Sequence, residues 1–354
     1  MPNFNKIIRN DLKDFNAYRS TANREELGTI WLNSNELPFN INNNFMDIKL
    51  NRYPKPWPKQ LLTYLSDYYQ IPPEQILISR GSDEAIDLLI RLCCQAGEDA
   101  ILISPPTFFI YEVYAHLQNA KVISVPLEIS KQFSYPTEAV KSKIDNSIKI
   151  IFICSPNNPT GNLISLRIIE EICEIFNENA LVVVDEAYIE FSQTEGCISL
   201  LSQYKNLVIL RTLSKAFGLA GARCGVTIAN EELIEWLKKI SAPYPLATPV
   251  IDMLQKQLSS QAQNEVLHQA LQVIEEREKL FDALHHSPLI KKVWPSRANF
   301  LLVETHDAKI FIKQCLQRGI IVRDYSQDLY LKNCVRITIG TPEENKELIS
   351  AIAN

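Results

Sequence analysis

The chain has 354 residues, 46% of them hydrophobic and 22% charged, with a formal net charge of -5 and a sequence pI near 5.7. This length exceeds the usual single domain and predicts two packed units, while the mild acidity offers no basic field for nucleic acid or an anionic membrane. No apolar run approaches the ~20 residues of a membrane span, and Met1 to Asp14 mixes Lys6, Arg9, Asp11, Lys13 and Asp14 among its apolar positions, which predicts a cytoplasmic protein working on small molecules.

Residues 1–45, rich in Asn and Pro around Leu32 to Asn44, read as an arm. Short apolar runs then alternate with segments of helical period. The strand candidates are Gln75 to Ser79, Ala100 to Ser104, Lys121 to Val125, Ile148 to Cys154, Ala180 to Asp185 and Asn206 to Arg211, with helices such as Asp83 to Cys94 and Leu166 to Phe176 between them. This alternation predicts an α/β unit with a mainly parallel sheet. After Pro243-Tyr244-Pro245 the texture changes to a long helix, with apolar Leu267, Leu271, Ile274, Phe281 and Leu284, followed by strand candidates at Phe300 to Val303, Ile320 to Arg323 and Val335 to Ile339. A second, smaller α+β domain is expected there. Eight cysteines with no C-x-x-C pair are too dilute for a disulfide scaffold and read as reduced, mostly buried thiols, and the five histidines lack metal-ligand spacing. No metal is expected.

In an open α/β sheet, sites form beyond the carboxyl ends of the strands, so the residues following each strand are the informative ones. After Ser79 comes Arg80-Gly81-Ser82-Asp83-Glu84, where a glycine lets backbone approach a ligand and a helix begins with free N–H groups suited to phosphate. After Cys154 comes Ser155-Pro156-Asn157-Asn158-Pro159-Thr160-Gly161, a rigid turn able to aim an Asn amide. Asp185-Glu186-Ala187-Tyr188 puts a carboxylate at the end of a buried strand, where a cation is expected to meet it, either a buried arginine or a ligand. Thr212-Leu213-Ser214-Lys215 and the later Arg223 offer an amine beside an anion site. Taken singly, each has an ordinary structural reading as an N-cap, a turn, a buried ion pair or a surface lysine. Yet five of the chain's ten glycines, Gly81, Gly161, Gly218, Gly221 and Gly225, fall in these segments, as expected where backbone crowds a ligand.

Pyridoxal phosphate accounts for the set. It needs a lysine to form a Schiff base, a carboxylate to hold its ring nitrogen protonated, donors for its ring hydroxyl and a cup for its phosphate. Lys215, Asp185, Asn158 with Tyr188, and Ser82, Asp83, Thr212, Ser214 with Arg223 fill those roles, and Phe108 is the candidate to cover a ring face.

The run Cys154 to Gly161, with Asp185-Glu186-Ala187-Tyr188 and Thr212-Leu213-Ser214-Lys215, resembles the fold type I aminotransferases. Within them the chain is most similar to the histidinol-phosphate aminotransferases, through Leu32-Asn33-Ser34-Asn35-Glu36, Asn51-Arg52-Tyr53-Pro54, Arg80 to Glu84, Arg211 to Phe217, Ala242 to Leu246 and Val335 to Gly340. Two positions depart: Phe108 stands where many relatives carry Tyr, and Phe15-Asn16-Ala17-Tyr18 lacks the Pro usual before that Tyr. The resemblance implies an N-terminal arm over residues 1–45, a large domain with a mainly parallel seven-stranded sheet over 46–245, and a small C-terminal domain over 246–354. It also implies a homodimer in which Tyr53 reaches the cofactor phosphate of the other subunit, and substrate contacts from Arg336, Arg323, Tyr18 and Asn35. The implied reaction passes an amino group from histidinol phosphate to the cofactor on Lys215 and on to 2-oxoglutarate, giving glutamate. An aromatic or broad-specificity aminotransferase and a threonine-phosphate decarboxylase share nearly all these motifs and remain alternatives. A non-catalytic, cofactor-binding regulatory module would need a DNA-reading domain, for which the arm before Trp31 leaves no room.

Overall fold

The computed structural model describes residues 4–13, 15, 50–258 and 260–353. In chain order these form α1 (Phe4–Ile7), α2 (Lys59–Tyr69), β1 (Ile76–Ser79), α3 (Ser82–Cys93), β2 (Ala100–Ile103), α4 (Ile110–Leu117), β3 (Lys121–Ser124), α5 (Thr137–Lys141), β4 (Ile148–Cys154), α6 (Leu166–Ile175), β5 (Leu181–Asp185), β6 (Leu207–Thr212) and β7 (Gly225–Ala229). There follow α7 (Glu231–Ile240), α8 (Thr248–Gln257), α9 (Ser260–Leu284), β8 (Ile290–Val293), β9 (Phe300–Thr305), α10 (Ala308–Gln317), β10 (Arg323–Asp324), β11 (Cys334–Thr338) and α11 (Pro342–Ala351).

Strands β1 to β7 build one sheet in the order β1-β7-β6-β5-β4-β2-β3, parallel except where β7 runs antiparallel to both β1 and β6. Every residue of β5 and β6 is buried, as near-continuous apolar runs covered on both faces must be. Two apolar clusters lie against this sheet. One takes Ile151, Val182, Val184 and Ile209, and the other takes Ile150, Phe152, Val183 and Val208, so alternate residues of each strand face opposite sides. The second cluster also receives Phe4, Ile7 and Ile8 from the start of the chain, where the Arg9 N–H donates to the Leu92 carbonyl at 3.1 Å. The smaller sheet is antiparallel in the order β10-β11-β9-β8, packed on α9, α10 and α11 through a third cluster including Leu280, Leu301, Phe311 and Leu348.

Several elements differ from the sequence expectation. The seventh strand, β7, follows a Gly- and Arg-rich segment that reads as loop, and β8 carries exposed Lys291 and Lys292 in its middle. The strand expected over Ile320 to Arg323 is only Arg323–Asp324, because Gly319 is left-handed (φ +74°) and Ile321 projects into solvent. The apolar face expected for α9 is rotated: Leu267 and Leu271 are exposed, and the buried stripe runs through Val266, Ala270, Ile274, Arg277, Leu280 and Leu284. All eight cysteines are buried. Among the described residues no helix is long and apolar enough to cross a membrane.

Candidate active site

A cavity of about 320 Å³ opens at the carboxyl ends of β4, β5 and β6. Cys154 and Asp185 are register partners at the ends of β4 and β5, and Thr212 ends β6 opposite Gly225 of β7. The loops leaving these strands therefore deliver Asn158, Tyr188, Ser214 and Lys215 to one place. The same cavity takes Ser82 and Asp83 from the start of α3, Phe108 from the segment before α4, Arg223 before β7, and Arg323 and Arg336 from the small sheet.

One end of the cavity has the makings of an anion cup. Helix α3 starts after Gly81, whose φ of +79° is left-handed, and its first free N–H groups carry the positive end of the helix dipole. Arg223, itself left-handed at φ +50°, donates through Nη2 to Asp83 Oδ2 at 3.2 Å and through Nη1 to Ser214 Oγ at 3.4 Å. The Thr212 and Ser214 hydroxyls lie 3.0 Å apart. Backbone packs tightly here: a Cβ on Gly225 would stand 2.3 Å from Gly81 C and 2.5 Å from Ser82 N.

Asp185 is 2% exposed. Its Oδ2 accepts from the Tyr111 hydroxyl at 2.7 Å and its Oδ1 from the Ala187 N–H at 3.1 Å. Among the described residues the cation expected beside it is not an arginine. Arg211, the buried arginine at hand, goes to the next residue, donating through Nε to Glu186 Oε2 at 2.8 Å, with Glu190 at 3.6 Å. Among the described residues no cation pairs with Asp185, and burial pushes its carboxyl up to about 6 against the lowering effect of the Tyr111 and Ala187 hydrogen bonds. An acid raised in this way suits a cationic ligand.

Burial and the nearby Arg336 guanidinium hold the Lys215 amine below its ordinary value, with Asp83 and Asp185 acting the other way. Its Nζ sits 5.5 Å from the centre of the Tyr188 ring. Burial pushes the Tyr188 phenol up, so its hydroxyl keeps its proton and can donate. Phe108 stands edge-on to Tyr111 at 5.6 Å, and Tyr111 stacks on Phe152 at 4.5 Å. On the small-domain wall, Arg336 donates through Nη1 to Asn158 Oδ1 and lies over the Phe300 ring at 5.1 Å.

Of the residues singled out from sequence, Ser82, Asp83, Phe108, Asn158, Asp185, Tyr188, Thr212, Ser214, Lys215, Arg223, Arg323 and Arg336 all line this cavity. Tyr53 does not line it; its ring is half exposed and stacks on Tyr244 at 4.6 Å. Tyr18 and Asn35 lie outside the described residues. Sequence reasoning missed Tyr111 and Tyr325. The first sits in a helix and reads as core, three residues after Phe108, and the second follows a two-residue strand with no motif around it.

The donor set fits pyridoxal phosphate. A lysine with a lowered amine, a buried carboxylate without a cation, and a helix start with two hydroxyls and an arginine match the aldehyde, the ring nitrogen and the phosphate in turn. The family model for aminotransferase class I and II matches residues 26–352. Curated histidinol-phosphate aminotransferases are similar over nearly the whole chain. That of Escherichia coli O45:K1 is 40% identical over 346 residues, covering 98% of this chain and 96% of that protein. That of Xanthomonas euvesicatoria is 42% identical over 348 residues, with the same two shares of 98% and 96%. Among solved structures, the histidinol-phosphate aminotransferase from Clostridium acetobutylicum superposes with a TM-score of 0.78 at 25% identity, covering 86% of this chain and 90% of that one. The Sinorhizobium meliloti enzyme, solved in complex with pyridoxal-5'-phosphate, shares the fold with a TM-score of 0.77 at 22% identity, over 86% of this chain and 82% of that one. With the family's sheet, its strand-end motifs and a match across nine-tenths of its length, this chain belongs to the class I and II aminotransferases.

Proposed function

We propose that the protein is a pyridoxal-phosphate-dependent histidinol-phosphate aminotransferase of histidine biosynthesis, using 2-oxoglutarate as the amino acceptor. The observation that carries the substrate is the pairing of Arg323 with Arg336 across β10 and β11, on the wall of a cavity that already has a separate phosphate cup at α3. A second anion site beside the first is what a phosphorylated amine requires, and the same fork accepts the carboxylate of a 2-oxo acid in the other half-reaction.

Pyridoxal phosphate, when bound, supplies an aldehyde for covalent attachment and a protonated ring that accepts the electron pair left by a breaking C–H bond. Lys215 Nζ is the amine that would hold that aldehyde. The same amine, kept below its ordinary basicity by burial, would be the group that moves the proton at the substrate's amine-bearing carbon. Asp185 would hold the proton on the ring nitrogen. Asn158 and Tyr188 would donate to the ring hydroxyl, and Phe108 would cover the ring and exclude water. Ser82, Thr212, Ser214 and Arg223 hold the phosphate, while Asp83 offers its backbone N–H and steadies Arg223. Tyr18 and Asn35 complete the substrate contacts by the same family likeness. The protein is a cytoplasmic homodimer whose Tyr53 reaches the cofactor phosphate of the neighbouring subunit, bounded as an arm over 1–45, a large domain over 46–245 and a small domain over 246–354.

The test is a single half-reaction. Purified holoenzyme mixed with histidinol phosphate, without 2-oxo acid, converts its absorbance from the lysine-bound to the pyridoxamine form and releases no carbon dioxide, and phenylalanine at equal concentration does so far more slowly. Conversion by phenylalanine at the same efficiency, or release of carbon dioxide, overturns the assignment.

A further inference from the structure

Arg323 and Arg336 are direct cross-strand partners, so their side chains leave the same face of the ladder. Like charges placed opposite one another destabilise a strand pair. The structure sets an aromatic ring against both: the Tyr325 ring centre lies 5.9 Å from the Arg323 guanidinium carbon and 5.8 Å from that of Arg336, within the range at which a ring face attracts a cation. Tyr325 stands two residues beyond Arg323, and its N–H donates to the Cys334 carbonyl at 3.0 Å, prolonging the β10–β11 ladder. The position of the ring is set by the backbone around it. Asp324 Oδ1 accepts from the Ser326 N–H at 2.7 Å, and the Asp328 N–H donates to the Tyr325 carbonyl at 2.9 Å, turning the chain directly after the ring. Tyr325 lines the cavity together with both arginines. Arg336 keeps its buried Nε without a hydrogen-bond partner among the described residues, a donor left over for a ligand oxygen.

We infer that Tyr325 is a specificity-determining residue: its ring braces Arg323 and Arg336 into one two-pronged clamp that selects a phosphate dianion over a singly charged carboxylate. Two cations held against one ring repel each other more than two mobile surface arginines do, and two negative charges offset that repulsion more fully than one. The fixed fork also matches the several terminal oxygens of a phosphate ester. This inference rests on the reading above that the two arginines take the substrate phosphate.

The test uses holoenzyme, whose phosphate cup is filled by the cofactor, with propyl phosphate and butyrate as unreactive probes measured by calorimetry. Tyr325→Leu weakens propyl phosphate about five- to thirty-fold, the range for losing two cation–ring contacts, and shifts butyrate by less than about two-fold. With histidinol phosphate the same variant raises KM more than it lowers kcat. Tyr325→Phe keeps the ring face and binds propyl phosphate within about two-fold of the wild type. Unchanged propyl phosphate binding in Tyr325→Leu, an equal loss of both probes, or a loss in Tyr325→Phe as large as in Tyr325→Leu overturns the inference. Arg323→Leu separates the two levels. If it loses propyl phosphate while Tyr325→Leu does not, the inference alone fails. If it binds as the wild type does, or if the wild type binds no propyl phosphate, the phosphate reading and the inference fail together.

Discussion

Asp185 ends β5 after four buried apolar residues, and loss of solvent pushes its carboxyl up to about 6 from 3.8 in spite of the Tyr111 and Ala187 hydrogen bonds. This has a consequence for the cofactor-free protein. Because the folded value exceeds the unfolded one, the contribution of Asp185 to stability is fully present below about pH 3.8 and is lost as pH rises through about 6, amounting to about 3 kcal/mol. Apoprotein carrying Asp185→Asn avoids that loss, so the difference in thermal midpoint between variant and wild type grows in the variant's favour from pH 4 to pH 6 and levels off above. Parallel pH profiles for the two proteins would show that the site tolerates the carboxylate unaided. Asp185 was legible in the sequence because a carboxylate closing an all-apolar strand demands a partner. The rule did not say that Arg211 would serve Glu186 instead, since adjacent residues at a strand end point to opposite sides. Lys215 and Asn158 were legible for the related reason that each follows a strand end, and Arg223 because it lies in the same Gly-rich segment as Lys215. Tyr111 and Tyr325 were not, because an aromatic in a helix or beside a short hairpin has the composition of core.

At the scale of elements, the cup depends on β7 running against β1 and β6 at close range. Gly225 faces Ser79 on one side and Thr212 on the other, and the three atoms nearest an added Cβ are all backbone, Gly81 C at 2.3 Å, Ser82 N at 2.5 Å and Gly81 O at 2.6 Å. Backbone cannot rotate out of the way as a side chain can. Gly225→Ala must push β7 from the start of α3, an overpacking that costs about 1–3 kcal/mol and opens the cup. Titration of apoprotein with pyridoxal phosphate is expected to show affinity reduced about ten-fold or more, at 1.4 kcal/mol per factor of ten. Gly221→Ala, where nothing among the described residues lies within 4 Å of the new Cβ, serves as the control and binds as the wild type does. Equal affinities in the two variants would mean that α3 is free to shift. The parallel strands were readable from their uninterrupted Ile, Val and Leu runs, whereas β7 was hidden because the glycine that permits this close approach is also the residue that marks loops. The rotation of α9 went unread for another reason. Its sequence carries apolar residues on more than one face, and periodicity alone does not say which stripe meets the sheet.

At the scale of the whole molecule, the described chain gathers the residues proposed for cofactor and substrate around one cavity but leaves Tyr53 outside it, 55% exposed and stacked on Tyr244. The dimer proposal has this phenol meet a second copy of the chain, and that gives it a discriminating experiment. Lys215→Ala removes the proposed anchoring amine from its own subunit, and Tyr53→Ala removes the phenol that the proposal has the chain lend to its neighbour. Each homodimer is defective at both sites. A heterodimer of the two variants, isolated through different affinity tags, pairs an intact Lys215 with a neighbour's intact Tyr53 at one site and leaves the other site doubly impaired. Twofold symmetry then predicts that the heterodimer regains about half the wild-type turnover and cofactor affinity at one site in two. If Tyr53 instead serves the subunit that carries it, the site with Lys215 still lacks its phenol and the heterodimer does no better than the Tyr53→Ala parent. Sedimentation of the wild type as an active monomer would remove the proposal altogether.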